Sequence, residues 1–375
     1  MMQEEIVVSR NAAGPACEDT CRGDVLDAAL TLPLHQAISL LCDTVDLDER
    51  VDAHPDWSQR LSSRVRSELG KALEQRDEQA LEEVHGALFA LYDLHTCDGT
   101  EPRAINQFNP TLTQVRRHIE RAWLDSEGRR LAVAAPAAPD GRSIVEAIKR
   151  MWSQHAVVSH PLFDFLEKEA SREQIVAFFR SDSALNLRFF DLLLYAMIGA
   201  RSEARTELAQ NLWDEAGRGD AAQSHVNLFQ HLLNVVGVGP ADDNHASVLG
   251  WEGLAGHNQF MLACVNRAHY FKLLGVMAIT ELLDPAQYEK LVNGCKRVGL
   301  GSEGELSYYD EHITIDVVHG DGWLTNVITP IVDQSPAIAG DILFGAAWRL
   351  SSCDAYYSAL HARLLALPML HGQAA

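Results

Sequence analysis

Basic residues are scarce in this chain: 31 Lys and Arg stand against 52 Asp and Glu, for a formal net charge of −21. Such a chain repels phosphate backbones, which excludes nucleic acid as a general partner. No apolar run reaches the ~18 residues that a membrane span needs. The first residues, MMQEEIVVSR, are acidic and lack the apolar stretch of a secretory leader. A cytoplasmic protein with no membrane partner is therefore expected. Val/Ile/Thr runs of period two are scarce, which argues against a sheet. There is no internal repeat and no low-complexity block. No Gly-rich loop leads to a Lys-Ser/Thr pair, and no nucleophile elbow is present, so neither a nucleotide site nor that hydrolase chemistry is indicated. The seven cysteines are odd in number and irregularly spaced. They fit a reducing compartment better than a disulfide framework. Cys17 and Cys21 have no second pair to complete a zinc site, and Cys264, Cys295 and Cys353 have no evident activating setting.

What is present is helix. "LHQAISLLCDTV" and "QALEEVHGALFALYDLH" place apolar residues at three- and four-residue steps. Asn109-Pro110 ahead of "TLTQVRRHIERAWL" reads as a cap, a first-turn proline and a helix. The stretch 130–143, "RLAVAAPAAPDGRS", is rich in Ala and Pro with little periodicity and reads as a linker. Helical spans are expected after it at about 144–158, 171–180, 182–199, 201–236, 253–283, 285–298, 303–320 and 339–366. Gly237, Gly239-Pro240 and Asp284-Pro285 fall where helices should stop. The division is a tail at 1–22, an accessory helical region at 23–129, the linker at 130–143, a bundle at 144–366 and a tail at 367–375.

The chemistry concentrates in "YYDEHITIDVVH", residues 308–319. On a helix, His312, Asp316 and His319 fall at about 0°, 40° and −20°, one narrow stripe. Glu311 points elsewhere, and Ile315 and Val318 flank the stripe. Two imidazoles and a carboxylate on one side suit a metal held in a bundle core, or simply a solvated face. Partners must come from other helices. Glu215 and His225 lie ten residues apart in "NLWDEAGRGDAAQSHVNLFQHLL", at about −80° on an unbroken helix. Gly217 and Gly219 between them either bend the chain enough to align the pair or end a helix and leave Glu215 on the surface. Glu281 closes the apolar segment "LLGVMAITELLDP". Carboxylate plus imidazole without thiolate suits iron or manganese. A ferritin-like site would need two Glu-x-x-His motifs. The chain has one, Glu82-Glu-Val-His85, which reads as a surface pair.

The order Glu215, His225, Glu281, then His312-x-x-x-Asp316-x-x-His319 resembles the haem-oxygenase-like diiron oxidases, often described as iron-containing redox enzymes. "HPLFDFLEKEASREQIVAFF" at 160–179 and the N-x-x-x-E-x-G-x-G run at 211–219 resemble the same family, over roughly residues 145–365. Many members space the first Glu and His by seven residues; if Glu215 fails, Asp191 is the substitute. The resemblance implies an all-α bundle of about seven helices with an additional N-terminal helical region. It implies two non-haem irons held by Glu215, His225, Glu281, His312, Asp316 and His319, with O2 as co-substrate and an external electron donor. N-oxygenation of a small amino-acid-derived amine, in specialised metabolism, is the first expected outcome. Asp191 is expected to meet a cationic substrate and Arg349 a carboxylate, with Tyr195, Tyr308 and Tyr309 nearby. Desaturation or oxidative carbon–carbon cleavage is the alternative, and a metal-free helical scaffold is the reading of another class. A homodimer through the N-terminal helices is also expected by analogy.

Overall fold

The computed structural model describes residues 22–302 and 304–367. Residues 1–21 and 368–375, where the tails were expected, and the Cys17/Cys21 pair lie outside the described residues. Among those described, no residue is in a strand, and no helix is long and apolar enough to cross a membrane.

The N-terminal region comprises α1 (Arg22–Thr31), α2 (Leu34–Cys42), α3 (Leu47–Asp52), α4 (Trp57–Leu69), α5 (Glu78–Asp93) and α6 (Pro110–Leu131). Asn109 caps α6, its side-chain oxygen accepting from the Thr111 and Leu112 amides, with Pro110 in the first turn. Ala132 in the left-handed region ends α6, and an irregular stretch leads to α7 (Gly141–Gln154). Then come α8 (Pro161–Lys168), α9 (Arg172–Asn186), α10 (Phe189–Met197), α11 (Ser202–Glu215), α12 (His225–Val235), α13 (Gly250–Val265), α14 (Tyr270–Arg297), α15 (Ser307–Gly322), α16 (Thr329–Gln334) and α17 (Ala339–Ala366).

Several expected boundaries moved. The helix expected over 201–236 is two, α11 and α12, separated by a turn in which Gly217 has φ +75 and a Cβ would press on the Ser224 amide. The helix expected over 253–283 breaks at Asn266–His269. The stop expected at Asp284-Pro285 is absent, because α14 runs through Pro285. Proline has no N–H to return to the Glu281 carbonyl, and Gly320 of α15 packs over that carbonyl. The α9–α10 break falls after Asn186 rather than near 181. Ser181 and Ser183 are helical, their hydroxyls turned back to donate to the Ala177 and Phe179 carbonyls at 3.2 and 2.9 Å.

One apolar cluster joins Ile38, Leu88 and Trp123 of the N-terminal helices to Phe260, Met277 and Trp348 of α13, α14 and α17. A second runs through α8, α9, α12 and the start of α15. His85, expected at the surface, is buried at this junction. Its ring meets the Trp123 ring edge-on at 4.8 Å, and its carbonyl accepts from Asn258 of α13 at 2.8 Å. Burial holds its imidazole down to about 3, so it is neutral. Helices α14 and α17 approach almost backbone to backbone. A Cβ at Gly275 would overlap the Ile342 carbonyl, and one at Gly345 would overlap the Lys272 carbonyl.

Candidate metal centre

Helix α15 is inside-out. His312, Asp316 and His319 are buried, whereas Val317 and Val318 are 60% and 62% exposed. Val318 therefore does not shield the stripe. Shielding comes from neighbouring rings: Tyr308 lies 4.2 Å from the His312 ring centroid and Tyr288 6.0 Å. A helix that spends its buried face on three ionisable groups gains little from burial unless something compensates their charge.

Three other helices bring the partners. Glu215 ends α11, His225 opens α12 and Glu281 sits in α14, all of them 5% exposed or less. The turn between α11 and α12 folds back, and His225 Nδ1 comes within 2.9 Å of Glu215 Oε2. The six form two groups, Glu215–His225–His312 and Glu281–Asp316–His319, and within each group one donor atom per residue lies within 4.8 Å of the others. The His225 and His312 rings are 4.3 Å apart. His319 Nδ1 lies 3.6 Å from Glu281 and 3.9 Å from Asp316.

Outer contacts orient the rings. His312 Nδ1 meets the Tyr308 carbonyl at 2.6 Å, which makes that nitrogen the donor and leaves Nε2 free. His319 Nε2 meets Asp214 at 3.2 Å, leaving Nδ1 toward Glu281 and Asp316. Asp214 is in turn held by Arg218 Nε at 2.6 Å and Gln210 at 3.1 Å.

The protonation pattern shows how unbalanced the cluster is without a cation. Burial pushes the Asp316 carboxyl well above its usual range, with the Glu281 and Asp284 charges adding to it, and raises Glu281 for the same first reason. Burial opposes charge on His319, but bonding to Glu281 more than offsets it and lifts the imidazole to about 9. Burial pushes His312 down to about 4. Neither ring nitrogen of His225 has an aligned hydrogen-bond partner, although Glu215 is close. A close contact without that alignment suits two ligands converging on a third centre. Three carboxylates and three imidazoles, dry and without a thiolate, fit iron.

Metal binding here must displace protons. In the metal-free chain, the raised His319 contributes stability that is complete below about 6.5 and lost as pH rises through about 9. The raised Asp316 and Glu281 carboxyls push in the same direction, costing stability as pH rises above their unfolded values. Fe(II) affinity should therefore rise between pH 6 and pH 8, on the order of tenfold per pH unit for each proton displaced. Anaerobic titration across that range checks this, and a flat profile would count against displacement.

A cavity opens beside the cluster. Glu215, Glu281, His312, Asp316, Tyr308 and Arg349 are among the residues that line it. Tyr309 sits behind the lining and donates to Asp182 at 2.9 Å. Asp191 and Tyr195 do not line the cavity. Asp191 faces Arg188 at 3.9 Å, and the Tyr195 hydroxyl donates to the His95 carbonyl at 3.3 Å. Both lie on α10, which is separated from α9 by a break at Leu187–Arg188. Three acids were missed. Asp182 and Asp284 line the cavity, and Asp214 backs His319. Asp284 lies three residues after Glu281 on the same face, a usable signal obscured by reading Asp284-Pro285 as a helix stop. Asp182, in "RSDSALN", carries no signal of its own. Buried thiols are inert here: burial pushes Cys295 up to about 12 and raises Cys264 and Cys353.

Comparison with known families decides the coarser question, because residues 176–353 match the model of a family described as iron-containing redox enzyme. This part of the chain, a little under half of it, is similar to the iron-containing redox enzyme family. The match begins in α9, ends in α17 and contains all six clustered residues. The all-α haem-oxygenase-like architecture follows from it, and iron and oxidoreductase chemistry are the family's. No curated protein matches the chain.

Proposed function

We propose that this iron-containing redox enzyme is a non-haem diiron oxygenase that uses O2 to N-oxygenate a small amino-acid-derived amine. The observation that carries the reading is the pairing of two buried three-residue groups beside one polar cavity. Glu215, His225 and His312 would hold one iron, and Glu281, Asp316 and His319 the other. Bound irons supply O2 activation. The protein supplies ligand geometry, a dry wall and substrate placement. The Tyr308 carbonyl fixes the tautomer of His312, and Asp214 does so for His319.

Arg349 is buried, and its Nε donates to Thr280 at 3.0 Å, while no carboxylate lies within ion-pairing distance of it among the described residues. It is suited to a substrate carboxylate. Asp182, pinned by Asn186 at 2.8 Å and by Tyr309, and Asp284 are suited to a cationic nitrogen. Such walls favour a polar substrate over a long acyl chain, which is why N-oxygenation stands ahead of desaturation or carbon–carbon cleavage. The stoichiometry is R–NH2 plus O2, two electrons and two protons, giving R–NHOH and water. An external donor must supply the electrons.

The test is to load the chain with Fe(II) under argon, mix it with O2 and a panel of amino-acid-derived amines, and analyse products by mass. Gain of one oxygen on nitrogen supports the proposal. Loss of two hydrogens or of a carbon fragment would replace it with the desaturase or lyase reading.

A further inference from the structure

The two groups are unequal. One offers two carboxylates, Glu281 and Asp316, and one imidazole; the other offers a single carboxylate, Glu215, and two imidazoles. A further acid stands next to the poorer group. Glu311, which the helical wheel turned away from the stripe, has its Oε2 3.8 Å from His225 Nε2. The approach is to His225 alone, and Glu311 stands just outside both groups of three. Its other oxygen, Oε1, accepts from Arg218 Nη2 at 2.9 Å.

Arg218 is unusual in itself. It sits in the left-handed region at φ +54, in the turn between α11 and α12, and is half exposed. A non-glycine residue there costs backbone energy that neighbouring contacts must offset. Its guanidinium spans both halves of the site, with Nε on Asp214, which contacts His319, and Nη2 on Glu311, which reaches toward His225.

We propose that Glu311 is a seventh metal-facing ligand and the fourth carboxylate, belonging to the Glu215–His225–His312 group, and that Arg218 is the positioning residue that holds it back in the metal-free chain. This rests on the diiron reading above. Charge supports it: a divalent ion beside Glu215 alone is under-neutralised, and Glu311 would give both groups two carboxylates. The exchange is a change of partner, in which the Glu311 carboxylate leaves a half-exposed guanidinium for a buried cation.

The test is anaerobic Fe(II) titration of the full chain as wild type, Glu311→Gln, Arg218→Gln and the double variant, together with the melting temperature of each metal-free protein. Glu311→Gln should weaken one of the two iron equivalents about tenfold and leave the other unchanged, with little change in metal-free melting. Arg218→Gln should not reproduce that loss, and any tightening it causes should vanish in the double variant. If Glu311 only braces Arg218, the two single variants will lower melting alike and leave the iron affinities equal, which overturns the inference. A Glu311→Gln chain that binds two irons as tightly as wild type also overturns it. A wild-type chain that binds no pair of irons removes the diiron reading and this inference together.

Discussion

Replacing His319 with alanine should remove iron binding at the Glu281–Asp316 side and abolish O2-dependent turnover. His319 is the only base in that group, and its Nδ1 lies between the two acids. Without it, Glu281, Asp316 and Asp214 face one another with no ring between them, all buried. Loss of a partner in the outer contacts of a metal site typically costs 10- to 100-fold in affinity, and loss of the ligand itself should cost at least about 100-fold. Anaerobic titration of His319→Ala, with circular dichroism to show that the helices persist, gives the answer. Val318→Ala is the matched control, one residue away and 62% exposed. It should change neither iron binding nor turnover. If His319→Ala still takes up two irons and turns over, the metal lies elsewhere.

The second large effect is expected at a helix crossing rather than at a ligand. Gly275→Ala adds one methyl where α14 and α17 cross, directly into the Ile342 carbonyl. Side chains give way to an extra methyl, but a backbone carbonyl in a helix does not. Overpacking of this kind costs about 1–3 kcal/mol, and this site should fall at the upper end. The consequence reaches the site, since α14 carries Glu281 and Asp284 and α17 carries Arg349. Urea unfolding of Gly275→Ala should show a lowered midpoint and weakened iron binding together. Gly340→Ala, at the start of α17 with open space around it, should be neutral or slightly stabilising. Equal midpoints for wild type and Gly275→Ala would refute the close-packing account.

The stripe His312–Asp316–His319 was legible because three residues on one helix are placed by helical periodicity alone. The all-α architecture was legible for the same reason. The meeting of Glu215 with His225 was only half legible. Two glycines announced a departure from helix, but the angle of the turn is set by Gly217 against Ser224, a contact absent from any periodic pattern. Pro285 misled because the rule that proline ends helices concerns local hydrogen bonds, and packing of α15 on α14 outweighed it. Asp182 was invisible because a lone acid on a mixed helix face looks alike whether it meets water or a cavity. Glu311 was set aside on angle alone. A long side chain reaches sideways, and Arg218 on another element sets its direction.

Helix α13 has a consequence for traffic through the protein. Every residue from Gly253 to Cys264 is buried, with α5 on one side and the cavity on the other. A wall with no solvent face cannot open without breaking the apolar cluster shared with the N-terminal helices. Across the site, residues 218–223 of the turn between α11 and α12 are all exposed. That turn is therefore the side of the site that can yield without unpacking the core, while the N-terminal helices set how firmly the opposite wall is anchored.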